Sequence, residues 1–134
     1  MNIKQLIKWG EANPRKLFKI DGFGAILSAL LLGVVLVRLE SIFGIPEATL
    51  YFLASLPCLF AVYDFYCYYK FDLNPRPFLK GIAMTNFVYC CISIGAAVFH
   101  IETITYLGWI YILAEIVIVS TLAYVELRVA LSPM

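Results

Sequence analysis

The sequence predicts an all-α, membrane-embedded bundle of four helices running up and down, with both termini in the cytoplasm. Three observations lead there: four long apolar stretches, short connections between them, and basic residues gathered almost wholly on one side. Hydrophobic residues make up 63% of the chain and charged ones only 14%, an imbalance outside the range of soluble globular domains. Helices are expected because a bilayer offers no water to open backbone groups, and the alternation of barrel strands is absent.

Residues 1–19 read as a short amphipathic, basic segment. Ile3, Leu6, Ile7 and Gly10 recur at helical spacing, with Lys4 and Lys8 elsewhere on the wheel. Such a helix lies on an anionic leaflet, here ending near Asn13-Pro14, although a loose basic tail fits the same residues. No apolar core follows the first lysines and no small-residue cleavage site appears, so no cleaved signal peptide is expected.

Residues 20–134 form the membrane domain. A hydrocarbon core of about 30 Å needs roughly 20 helical residues. The first crossing is placed at 20–42, uncharged from Gly22 to Val37, with Asp21 at one interface and Arg38 and Glu40 snorkelling to the other. The second, 48–69, carries only Asp64, and Pro57 is expected to kink it. The third, 78–99, is uncharged from Gly81 to Phe99, and the fourth, 104–126, carries Glu115 within it and Glu126 at its end. Gly44 and Pro46 punctuate the first outer turn, Asn74-Pro75-Arg76-Pro77 the cytoplasmic one, and His100 to Thr105 the second outer one. Short links make neighbouring helices antiparallel.

Nine of the ten lysines and arginines fall on one side, Arg38 being the exception. This bias places the termini and the middle turn in the cytoplasm, in a plasma (inner) membrane. Tyr66, Tyr68, Tyr69 and Phe71 mark the cytoplasmic interface, and Tyr51, Tyr106 and Trp109 the outer one.

The candidate functional residues are Asp64, Asn86, Tyr89, Tyr111 and Glu115. Acids at membrane depth usually face a bundle interior or a cavity. Asp64 lies six residues inside Lys70 and Asn86 six inside Lys80, each roughly 9 Å from the edge, so they can meet across a helix pair. Glu115 is near mid-membrane, with Tyr111 one turn outward, and Glu126 returns to its face eleven residues later. No basic residue lies within the apolar spans, and an acid without a countercharge is driven towards its neutral form in low dielectric. Glu115 then either hydrogen-bonds to Tyr89, Tyr111 or Ser93, exchanges a proton, or holds a cation. Asp21 and Glu126 are expected at the interface, meeting Lys19 and Arg128.

A shift of 62 positions pairs Val37-Arg38-Leu39-Glu40 with Phe99-His100-Ile101-Glu102, Gly33 with Gly95 and Asp64 with Glu126. A duplicated hairpin would give that pattern, and so would the chance matching of two apolar segments.

Several chemistries are disfavoured. The four cysteines lack a C-x-x-C pair, His100 is the one histidine, and neither a phosphate loop nor a Ser-His-Asp set is present. No cofactor or metal is implied, nucleic acid is not an expected partner, and enzyme activity is disfavoured. The expected partners are the lipid bilayer and either further copies of the chain or subunits of a membrane complex. Three roles follow: a binding or transport module using the buried acids for a proton or cation, a structural or assembly subunit, and, trailing, a lipid-modifying enzyme holding a phosphate head group on Arg76 and Lys80.

Overall fold

The computed structural model describes residues 2–70 and 74–132; Phe71, assigned to the cytoplasmic aromatic belt, lies outside them. The described residues hold helices and no strand. Helix α1, Ile3–Ala12, starts on a reciprocal cap in which Asn2 accepts from the Gln5 amide and Gln5 from the Asn2 amide. It stops where Pro14 opens the next helix at its first position, the place a missing N–H costs nothing.

Helix α2, Pro14–Leu30, continues through a π-helical turn at Leu31–Leu36, and together they make the first span, Pro14–Leu36. A short α3, Glu40–Phe43, ends on Gly44 at φ 73°, a left-handed conformation suited to glycine. A side chain there would also collide with the Thr103 carbonyl oxygen. Helix α4 is Glu47–Tyr69, with Pro57 inside it. Helix α5, Pro75–Phe99, is capped by Asn74, and α6, Tyr106–Leu131, by Thr105.

The first helix begins at Pro14, ahead of the expected 20. Helical backbone runs on past the π-helical turn to Arg38 and, after a turn at Leu39, α3 covers Glu40–Phe43. Arg15, Lys16 and Lys19 are thereby in the first turns of a spanning helix, and Asp21 lies two turns inside its start. Helix α6 runs five residues past Glu126, so that acid too is inside a helix rather than at its end.

Four helices are long and apolar enough to cross a membrane. Large apolar side chains face outward along them: Leu27, Leu59, Val62, Val117 and Ile118 are all more than half exposed. An apolar exterior on this scale suits lipid, not water. Helix α2 packs most extensively along α4, and α5 along α6, while the two pairs meet more lightly. Gly33 permits close approach within the first pair, where a Cβ would stand 3.2 Å from that of Ala54.

Two apolar clusters hold the bundle. One gathers Leu32, Leu36, Leu50, Leu53 and Ile112; the other Leu17, Phe18, Leu79, Val125 and Val129. Leu6, Ile7 and Trp9 of α1 pack on the second, and Gly10 fits against Val129 and Leu17. The apolar face of α1 therefore rests on the bundle, with Lys4 and Lys8 exposed. In order along their helices, Asp21, Asp64 and Asn86 fall between the two clusters.

Candidate functional site: two buried acid groups and the cavity between them

Helix α6 contributes Glu115 and, one turn before it, Tyr111; α5 contributes Tyr89. The Tyr89 hydroxyl donates to Glu115 Oε1 and the Tyr111 hydroxyl to Oε2, so each carboxyl oxygen has a donor. This group is the one the spacing suggested. Ser93, also considered as a Glu115 partner, is buried with its hydroxyl oxygen unpartnered. The Tyr89 bond joins α5 to α6, whereas the Tyr111 bond stays within one helix face.

The second group was not anticipated in its membership. Asn86 Nδ2 donates to Asp21 Oδ1 at 3.0 Å and to Glu126 Oε1 at 3.1 Å. A single amide on α5 thus joins the first spanning helix to the last. Asp64, fully buried, has Asp21 and Glu126 as its charged neighbours and makes no bond to Asn86. Asn86 and Asp64 were expected to meet, but the amide bonds Asp21 and Glu126 instead.

The expected interfacial roles of Asp21 and Glu126 are overturned. Asp21 is 5% exposed and Glu126 not at all. Lys19, assigned to Asp21, holds its ammonium 5.8 Å from the centre of the Tyr68 ring. Arg128, assigned to Glu126, bonds the Tyr124 hydroxyl at 2.8 Å and lies over that ring. The reason is the longer helices: beginning α2 at Pro14 and ending α6 at Leu131 carries both acids inside. Pro14 as a first-turn signal would have revealed the Asp21 depth, and the return of Glu126 to the Glu115 face already hinted at the second.

Hydrogen-bond accounting defines what this group lacks. Asp21 Oδ2, both Asp64 oxygens and Glu126 Oε2 are buried without a partner. Ionised carboxyl groups only accept, and the amide has two donors, both used. Each buried polar atom left unmatched costs about 1–3 kcal/mol. A proton on Asp64 or Asp21 supplies the missing donor and closes a bond between those two neighbours.

A cavity of about 200 Å³ touches both groups, with Asp21 and Asn86 from one and Tyr89, Tyr111 and Glu115 from the other. Asp64 does not line it. Between the polar ends its wall is apolar, including Leu31, Pro57, Phe60 and Leu122. Along α6 the wall runs from Tyr111 to Leu122, about 16 Å at the helical rise.

Other polar contacts are structural. Arg76 donates to the Val129 and Ser132 carbonyls at 2.8 and 2.7 Å, clamping the end of α6. His100 Nε2 meets the Thr49 hydroxyl at 2.8 Å, tying the end of α5 to the start of α4. Among the described residues, no group of three or more His, Cys, Asp and Glu is arranged to hold a metal ion. No protein-family model, curated protein or solved structure matches the chain.

Proposed function

We propose that the chain is an integral membrane protein of the plasma (inner) membrane that binds and passes a proton or cation through its buried acids. The observation that carries this reading is the Asp21–Asn86–Glu126 linkage, with Asp64 beside it and four carboxyl oxygens short of donors. A proton is the smallest donor that can reach them, one shared by Asp21 and Asp64 accounting for two of the four, and its arrival and departure change the bonding between helices. The cavity links this group to Glu115, supporting a second station towards the outer half.

In this reading the helices run up and down with both termini cytoplasmic. Arg15, opening α2, reaches the Cys67 and Lys70 carbonyls at the close of α4, and Arg76, opening α5, reaches the close of α6. Those contacts support antiparallel pairs, and the one-sided basic residues support the orientation. Four helices leave little room for a complete pathway, so the working unit would contain several copies or other membrane subunits.

The test is proton flux into proteoliposomes carrying a pH-sensitive dye, with an imposed potential. Asp64→Asn, which provides a permanent donor, reduces flux to that of protein-free vesicles, and Glu115→Gln lowers it. Equal flux in Asp64→Asn and parent would remove the acid group from any transport role.

A second reading, a structural or assembly subunit, is favoured by one observation: both Glu115 oxygens are matched within the chain, as in a helix staple. It is distinguished by both acid variants retaining partner capture from native membranes while no flux is measurable in the parent.

A further inference from the structure

We propose that the cavity binds a small organic ammonium ion with an apolar body, its N–H groups docked on the Asp21 carboxyl. The inference rests on reading the polar core as a binding site, and adds the class of ligand.

Asp21 supplies the anchor. It is more than nine-tenths buried, it lines the cavity, and one of its carboxyl oxygens has no hydrogen-bond partner. Its other oxygen is held by Asn86 at 3.0 Å, which positions the group; a bound ammonium would take the place of the proton otherwise shared with Asp64 as the donor to the second oxygen. A primary or secondary ammonium brings both the donor and the missing positive charge, a charge-assisted bond of the stronger kind.

The wall chooses the rest of the molecule. Oxygen-bearing side chains such as Asp21 and Glu115 also line the cavity, but Leu31, Pro57, Phe60 and Leu122 offer no ligands, so this stretch of wall suits an apolar body better than a hydrated inorganic cation. An apolar body, by contrast, is stabilised by contact with those side chains. Phe60 and Tyr89 stand edge to face with centroids 5.9 Å apart, and both line the cavity. Aromatic rings of this kind pack against another ring or attract a cation. An apolar cavity of about 150 Å³ accepts benzene, so the 200 Å³ here suits a single ring or a short alkyl chain.

Access is consistent with the same class. Helices α2 and α6 meet only lightly, and Leu27 and Ile118, which line the cavity, are more than half exposed on the lipid-facing side. Amphipathic amines concentrate at the membrane and reach such an opening sideways.

The test uses the full chain in phosphatidylcholine nanodiscs, with radiolabelled 2-phenylethylammonium as the probe and empty discs as the blank. Saturable binding is expected. Ethylammonium, which has the charge without the ring, and 2-phenylethanol, which has the ring without the charge, should each displace it at least tenfold less well. Asp21→Asn should weaken binding at least tenfold. Ala25→Leu, at another position lining the cavity, narrows it and leaves every acid in place; it should weaken binding as much while the variant keeps the parent's monodisperse elution and helical circular dichroism, showing a folded protein. Displacement by ethylammonium at parity would overturn the apolar part of the proposal, and displacement by 2-phenylethanol at parity the ionic part. No saturable binding in a protein that still conducts protons overturns the ligand class and leaves the acid group standing. Absence of both binding and flux overturns the two readings together.

Discussion

Asp21 and Glu126, from the first and last spanning helices, accept hydrogen bonds from the same amide, that of Asn86, at 3.0 and 3.1 Å. The three residues come from α2, α5 and α6, so this small knot crosses the lighter interface between the two helix pairs.

Asn86→Ala should therefore destabilise the bundle more than a surface change of equal size. It removes two bonds to acids and adds two unmatched buried oxygens. Bonds to charged groups are worth about 1.5–3 kcal/mol each, but donors found elsewhere in the membrane reduce this, so a loss of roughly 2–4 kcal/mol is expected. Reversible unfolding in mixed micelles measures it. A loss within about 0.5 kcal/mol, the range of ordinary surface substitutions, would show that the amide does not hold the pairs together.

The two tyrosines on Glu115 should differ in consequence. Tyr89→Phe breaks a bond between helices, with a coupling to Glu115→Gln of about 0.6–1.7 kcal/mol in a double-mutant cycle. Tyr111→Phe breaks a bond four residues apart on one helix and should couple by about 0.2–0.5 kcal/mol. The reverse order would place the structural staple within α6.

Glycine positions give a contrast in backbone strain. Gly44→Ala meets both a positive φ and the Thr103 carbonyl oxygen, and should lower the unfolding midpoint sharply or prevent folding. Gly95→Ala meets nothing and adds helix propensity, so a gain of up to about 1 kcal/mol is expected. Thermal unfolding of the two variants side by side decides it.

Topology can be read by labelling introduced cysteines with a membrane-impermeant maleimide, in a background with the four native cysteines replaced. Glu102→Cys should react in intact cells. Lys4→Cys and Lys80→Cys should react only after the membrane is opened. Labelling of Lys4→Cys from outside would invert the proposed orientation.

Much of the architecture was legible in the sequence. Long apolar runs punctuated by Gly44, Pro46 and Pro75 report helices and their turns, because hydrocarbon tolerates little else. The Glu115 group was legible in part: Tyr111 is one turn away on the same helix, while the sequence left Tyr89 and Ser93 as alternatives and the structure pairs Tyr89. The 62-residue shift is of interest here as well: Asp64 and Glu126, which it pairs, are both fully buried in one polar group. Gly33 and Gly95, which it also pairs, differ, one closely packed and the other facing open space.

Composition and spacing alone determined an all-helical chain with four segments able to cross a bilayer, because apolar length and backbone satisfaction are local properties of each stretch. Only the tertiary structure decided that Asp21 and Glu126 are partners rather than rim residues. Helix ends moved by a few residues, and the choice between a nearby lysine and a distant amide depends on which faces pack, something no single segment encodes.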